Sequence, residues 1–274
     1  MTTSEKYEAL IARLGELDSL LVAYSGGVDS TLLAFCAHAV LGDRCKAVMA
    51  SSEVYPAGET DAARDLAAQL GLDLLEIDTE ELSNPSFTSN PTDRCYHCKS
   101  ELFSLLKGVA ESKGLANVAD GSNADDRSDH RPGARAAAEC GVVSPLQEVG
   151  MTKQDIRDLA RELGLPNWDK PSMACLASRL PYGEQITPGA LARISNAEVA
   201  LRDLGLRQFR VRAHGDVARL EVDGSELDAA WDKRGSITEA LKGAGFVWAS
   251  LDLEGYRTGS LNAALADEQH EGRN

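Results

Sequence analysis

The sequence predicts an α/β protein: a parallel sheet with helices on both faces, followed by a smaller α+β domain. Three observations predict it. Strand-like and helix-like segments alternate as β-α-β-α-β from Leu20 to Ile77, the pattern of a doubly wound parallel sheet. The first apolar run ends in a Ser-Gly-Gly turn that feeds straight into a helix. From Thr187 the character changes to a helix and then two alternating strands joined by His214-Gly215-Asp216, which reads as a hairpin. The expected boundaries are 1–180 for the first domain, 181–266 for the second and a polar tail over 267–274.

Each element has its own local signal. Tyr7, Leu10, Ile11 and Leu14 recur at helical spacing between Ser4 and Leu17. Leu20 to Tyr24 is a short apolar run that reads as the first, buried strand, and Ser30 to Ala39 as the helix after it. Cys45 to Ser51 is the second strand, Glu59 to Leu70 a helix stopped by Gly71, and Asp73 to Ile77 the third strand. Glu80 to Asp93 is polar, with Asn-Pro pairs at 84–85 and 90–91, and reads as a loop. Arg94 opens a helix to about Lys113. Val118 to Gly121 ends a fourth strand and Val142 to Pro145 is a short fifth one. Thr152-Lys153-Gln154-Asp155 is a capping pattern that starts a helix running to Leu163. In the second domain we expect a helix over 188–204 and strands over 209–213 and 218–222. A helix over 225–242 and a strand over 246–251 follow, with Trp231 and Trp248 in the core.

Composition narrows the function. A formal charge of −15 argues against a broad nucleic-acid surface, which requires a basic face. Basic residues nevertheless concentrate in the segments that carry motifs: Arg94, Lys99, Arg127, Arg131, Arg135, Lys170, Arg179, Arg210 and Arg212. That pattern suits small anionic ligands. No apolar run reaches membrane-span length, and Met1 to Leu14 lacks a basic-then-apolar leader pattern, so a cytoplasmic protein is expected. Of the six cysteines, Cys36, Cys45 and Cys140 read as buried thiols. Cys95, Cys98 and Cys175 stand in polar, cation-bearing segments.

The strongest chemical signal is Ser25-Gly26-Gly27-Val28-Asp29-Ser30. Adjacent glycines let the backbone approach a ligand, and the following helix aims its unpaired N–H groups and positive dipole end into the turn. Ser25 and Ser30 add hydroxyls, and Asp29 caps the helix or holds Mg²⁺. The Gly-Lys-Ser/Thr ending of a Walker loop is absent. In parallel sheets ligands bind at the carboxyl ends of the strands. Ser51 stands at one such end, and Gly121, Asp125 and Arg131 follow another; caps and turns compete there with Mg²⁺, ribose and phosphate binding. Cys95 and Cys98 form a C-x-x-C at a helix start, where metal binding and redox chemistry are both open. Cys175 lies between prolines with Lys170 and Arg179 nearby, and cations favour the reactive thiolate. Arg210 and Arg212 share one face of a strand, either solvated or poised for phosphate.

The Ser25–Ser30 string resembles the pyrophosphate loop of the PP-loop ATP pyrophosphatases. Arg-Cys-Tyr-His-Cys-Lys (94–99), Asp-Gly-Ser-Asn-Ala-Asp-Asp (120–126) and Lys-Pro-x-x-x-Cys-Leu-Ala-Ser-Arg (170–179) follow it in order. Together these resemble the LarE family of ATP-dependent sulfur transferases, over nearly the whole chain. The resemblance implies a Rossmann-like PP-loop domain in which Ser25, Gly26, Gly27, Asp29 and Ser30 hold the ATP phosphates, with Mg²⁺. It implies adenylylation of a carboxylate of a pyridinium dicarboxylate mononucleotide on the way to the nickel-pincer nucleotide, then replacement of oxygen by sulfur. Cys175 takes the sulfur position, and Glu198, Arg210 and Arg212 match family positions near the substrate phosphate or an interface metal. Two sulfur sources occur in the family: a sacrificial cysteine that becomes dehydroalanine, and a sulfide on a [4Fe-4S] cluster held by three cysteines. Cys95, Cys98 and Cys175 suit the cluster type. The resemblance also implies a homo-oligomer, a hexamer in the family. Its rivals are a tRNA thiolase, an amide synthetase, or a nonenzymatic protein binding ATP and structural Zn²⁺ through Cys95 and Cys98.

Overall fold

The structure is a computed structural model that describes residues 1–128, 132–257 and 259–262. Arg131 and the tail over 267–274 lie outside the described residues. The chain forms two compact units. One comprises Met1–Phe87 with Thr92–Met173, the other Thr88–Pro91 with the chain from Ala174 onward.

The first unit contains α1 (Thr3–Gly15), β1 (Leu20–Ala23), α2 (Val28–Leu41), β2 (Cys45–Ser51), α3 (Glu59–Gln69), β3 (Leu74–Asp78), most of the single turn α4 (Pro85–Thr88), α5 (Arg94–Ser112), β4 (Asn117–Ala119), α6 (Pro132–Glu139), α7 (Pro145–Glu148) and α8 (Lys153–Glu162). Its strands form one parallel sheet in the order β3-β2-β1-β4. The apolar run of β1 explains the layering. Successive residues of a strand point to opposite faces, so Leu20 and Val22 join Leu10, Leu33, Ala67 and Leu159 in one core. Leu21 joins Phe103, Leu106 and Ala136 in the other. Helices α1, α2, α3 and α8 therefore cover one face, and α5 and α6 the other. A strand buried on both sides reads as a continuous apolar run, as expected for a parallel sheet. Among the described residues no helix is long and apolar enough to cross a membrane.

Two expectations change here. Val142 to Pro145 makes only an isolated parallel bridge, Ala119 to Val143, because Pro145 opens α7 instead. The loop over 80–93 holds a 3₁₀ turn (Glu81–Ser83) and α4. Its end, Thr88–Pro91, belongs to the second unit for a local reason. The Asn90 amide donates to the carbonyls of Pro181 and Glu184 at 2.7 and 3.0 Å, while Gly183 N donates to Asn90 O at 2.9 Å.

The second unit continues with α9 (Pro188–Asp203), β5 (Phe209–His214), β6 (Val217–Val222), α10 (Leu227–Asp232), α11 (Arg234–Gly243) and β7 (Trp248–Leu251). β5 and β6 form the antiparallel hairpin from Phe209↔Val222 to His214↔Val217, turning through Gly215 at φ 56°. β7 adds parallel to β6 as the edge strand. The single helix expected over 225–242 is broken at Lys233, whose ammonium donates to Leu204 O at 2.7 Å. The break falls where the apolar spacing lapses, since Asp232 to Ser236 carry no apolar residue and include Gly235. Trp231 and Trp248 are not core: they are 59% and 66% exposed. The interior is filled instead by Val211, Leu220, Ala230, Ile237, Leu241 and Phe246.

Candidate active site

The Ser25–Ser30 turn leaves the carboxyl end of β1 and enters α2 at Val28, with Gly27 as N-cap. Gly26 has φ 68°, and a Cβ there would stand 2.5 Å from Ala63 Cβ on α3. Only glycine satisfies both conditions. The Tyr24 hydroxyl donates to Ala63 O at 3.1 Å, so the same alanine seats both the strand end and the turn. Ser25 N donates to Ser30 Oγ, the two serine hydroxyls are 3.1 Å apart, and Ser30 Oγ donates to Gly27 O at 3.1 Å. The loop is thus closed on itself by its own hydrogen bonds. Gly121, at the end of β4, packs against it from the other side: a Cβ there would lie 3.0 Å from Ser30 N.

Asp29 sits in the first turn of α2 and makes no cap. Its Oδ1 accepts from the Asn123 amide at 3.2 Å, and its Oδ2 pairs with the Lys153 ammonium. Asp125 Oδ2 accepts from Lys153 N at 2.8 Å, while Asp125 N donates to Asn123 Oδ1. The segment after β4 is therefore both a turn and a set of oxygen donors beside the phosphate loop. Behind the loop, the Asn167 amide donates to Gly26 O at 3.1 Å and to Thr31 Oγ1 at 3.0 Å. Lys170 reaches Gly26 O at 3.3 Å and pairs with Glu59 at 2.9 Å. Ser51 stands at the carboxyl end of β2, with its carbonyl bound to Thr79 N.

Lys153, Asn167 and Glu59 are not among the site residues expected from the sequence. Lys153 has a weak signal, a cation directly after a helix cap. Asn167 and Glu59 have none, because each acts through a long-range contact.

The thiols fall into two groups. Cys36 and Cys45 are buried, and burial pushes both up to about 12, out of reach of thiolate chemistry. Cys95, exposed, and Cys98, partly buried, stand one helical turn apart at the start of α5. Cys98 Sγ donates to Glu81 Oε1 at 3.9 Å. Cys140 is partly buried rather than enclosed. Cys175 is partly buried in the second unit, at the head of a 3₁₀ turn (Leu176–Arg179). Among the described residues no three His, Cys, Asp or Glu side chains gather into a metal-holding group.

The turn bearing Cys175 is held by a buried ion pair. Arg179 is fully buried and commits Nε and Nη2 to Glu198, at 2.8 and 2.9 Å. Its Nη1 donates to Ala174 O at 2.7 Å and Cys175 O at 3.2 Å. Glu198 also accepts from Val211 N at 3.2 Å. The sequence reading gives both residues to a ligand; here their groups are taken up by each other and by the backbone around Cys175. Arg212 is buried too, donating to Ser178 O at 2.7 Å and pairing with Glu221 at 2.9 Å. Arg210 donates to Phe209 O and lies over the Tyr256 ring. Burial, and then the neighbouring Arg179, holds its guanidinium below the usual value. The paired arginines of β5 are therefore interior groups, not a solvated face.

Comparison with known proteins agrees with this geometry. The chain is 38% identical over 269 residues to the pyridinium-3,5-bisthiocarboxylic acid mononucleotide synthase of Lactiplantibacillus plantarum, covering 98% of each. The chain belongs to the LarE family. It is thus an ATP-dependent PP-loop enzyme and a sulfur transferase, using ATP with Mg²⁺. It is also 44% identical to an uncharacterized protein of Synechocystis sp., over 95% of this chain and 98% of that one. The family described as NAD synthase matches residues 9–101, which include the whole phosphate loop. The glutamine-hydrolyzing GMP synthase of Aliivibrio salmonicida is 28% identical over 188 residues, 60% of this chain and 36% of its own length.

Proposed function

We propose that this LarE-family enzyme adenylylates a carboxylate of a pyridinium dicarboxylate mononucleotide and converts it to a thiocarboxylate, within nickel-pincer nucleotide synthesis. The observation that carries the reading is the Cys175 turn, whose carbonyls are pinned by the buried Arg179–Glu198 pair while the thiol keeps partial access. The name of the L. plantarum relative supplies the substrate class. In this reading Ser25, Gly26, Gly27 and Ser30 receive the triphosphate, Asp29 and Asp125 hold Mg²⁺, and the Ser51 and Gly121 edges flank the nucleotide. Arg179 and Glu198 are positioning residues for Cys175, and the buried Arg212 supports the same turn through Ser178 O. A substrate carboxylate oxygen bonds to the α-phosphorus, the α–β anhydride breaks, and pyrophosphate leaves. A sulfur nucleophile then takes the acyl carbon and AMP leaves with its bonding pair. Adenylylation is needed because a carboxylate is a poor electrophile and AMP a good leaving group.

For the sulfur we propose a [4Fe-4S] cluster on Cys95, Cys98 and Cys175. An exposed and a partly buried thiol one turn apart at a helix start suit two thiolate corners, and Cys175 is the third thiolate in this reading. When bound, such a cluster supplies a transferable sulfide. The enzyme acts in the cytoplasm as a homo-oligomer in this reading, with exposed Trp231 and Trp248 available for self-association.

The test is pyrophosphate release with ATP, Mg²⁺ and either the pyridinium nucleotide or tRNA. Release that responds to the nucleotide, with a thiocarboxylate product by mass spectrometry, supports the reading; release that responds only to tRNA overturns it. Iron and acid-labile sulfide in protein prepared without oxygen test the source. Cluster content should vanish in Cys95→Ala. Iron-free protein whose Cys175 converts to dehydroalanine during turnover would replace the cluster with a sacrificial donor.

A further inference from the structure

Lys153 touches both carboxylates expected to hold the metal. Its ammonium pairs with Asp29 Oδ2, and its backbone N–H donates to Asp125 Oδ2 at 2.8 Å. The remaining oxygen of Asp29 accepts from the Asn123 amide at 3.2 Å. Asp29 therefore carries a cation of the protein's own where a divalent cation would bind. The contact is not needed to build the helix that bears Lys153. The start of α8 is secured by Thr152 and Asp155, which exchange both bonds of a capping box.

The charges explain why a counter-ion belongs there. Asp29 lies in the first turn after the phosphate loop, and a bare carboxylate at that point would repel an incoming triphosphate. An ammonium on a flexible stem neutralises it and gives way readily, since Lys is a mobile point charge rather than a fixed fork. With Asp29 given over to a metal brought by ATP, the Lys153 ammonium would be left beside the phosphate loop. There it meets the charge that develops on the departing pyrophosphate.

We propose that Lys153 is a resident counter-cation of Asp29 that exchanges with the divalent metal on ATP loading and then binds the pyrophosphate leaving group. The inference rests on the reading of Asp29 as a metal ligand, and the experiment separates the two. Mn²⁺ binding is followed by electron paramagnetic resonance for the wild type, K153Q, K153M, K153R and D29N, without nucleotide and with α,β-methylene-ATP. Inorganic pyrophosphate binding is measured by calorimetry. Without nucleotide, K153Q and K153M should bind Mn²⁺ about tenfold tighter than the wild type, because a competing positive charge is gone. K153R, which keeps the charge, should stay near the wild type. Both neutral variants should bind Mg²⁺–pyrophosphate about tenfold more weakly. Unchanged Mn²⁺ affinity in the neutral variants overturns the counter-cation role, and unchanged pyrophosphate affinity overturns the leaving-group role. D29N that binds Mn²⁺ with α,β-methylene-ATP as well as the wild type does overturns the metal reading of Asp29 itself.

Discussion

The phosphate-loop edge of the first unit and the charged interior of the second solve the same problem by opposite means. At the loop, shape is imposed by backbone: Gly26 at positive φ against Ala63, and Gly121 against Ser30. Its charged groups, Asp29, Lys153, Lys170 and Glu59, stay partly open to water. In the second unit, shape is imposed by buried ion pairs, with Arg179 and Glu198 almost wholly removed from solvent. The first arrangement can exchange a partner ion at modest cost. The second cannot, because a buried charge left alone forfeits its solvation without compensation. Exchangeable groups suit binding, and fixed groups suit holding a nucleophile still.

Substitutions on each side test this contrast. The largest effect is expected for Glu198→Ala, which strands the Arg179 guanidinium and should cost roughly 3–5 kcal/mol in urea unfolding. A loss under about 1 kcal/mol would show that the pair is dispensable and the contrast false. Gly26→Ala comes next. Its Cβ would meet Ala63 in a backbone conformation that residues other than glycine rarely adopt, and displacing the loop should slow ATP-dependent pyrophosphate release roughly a hundredfold. Thermal unfolding should report a smaller change than the kinetics do, and near-normal turnover would refute the steric account.

A third test uses a partly exposed pair of the first unit. Burial pushes the Asp155 carboxyl up, but hydrogen bonds from Lys6, Thr152 and Thr3 outweigh it and hold the group well below its ordinary value. A depressed folded value means that the stabilisation is present above the unfolded value of about 3.9 and is lost as pH falls below it. Asp155→Asn should therefore lower stability at pH 7 by roughly 1–2 kcal/mol and flatten the decline below about pH 4. Parallel acid-unfolding curves for the two proteins would contradict this. The smallest effect is expected for Trp231→Ala with Trp248→Ala: within about 0.5 kcal/mol in unfolding of the dilute protein, as befits exposed side chains. Sedimentation should show reduced self-association in that variant. A large stability loss would return both tryptophans to the core.

How well residues can be read from the chain follows the same division. The Ser25–Ser30 loop, the β-α-β order and the Thr152 capping box are local patterns, since strand alternation, helix spacing and turn chemistry act over a few neighbours. Arg179, Glu198 and Arg212 stand out by their charge, but their use is not legible. Whether an arginine faces a ligand or a buried carboxylate depends on a partner 19 residues away for Arg179 and 9 away for Arg212. Trp231 and Trp248 mislead for a related reason. Size and hydrophobicity favour burial on average, yet Trp248 stands on an edge strand and Trp231 near the end of the short helix α10.

Short-range periodicity and contiguous motifs were enough to specify the parallel sheet, its helical cover, the phosphate loop and the family. The pairing of acidic with basic groups emerged with the folded arrangement alone. That arrangement set Lys153 on Asp29 and Asn167 on Gly26, and it set Arg179 behind the Cys175 turn. Charge pairing is a through-space property. Its strength depends on distance and on exclusion of water, and the order of residues along a chain encodes neither directly.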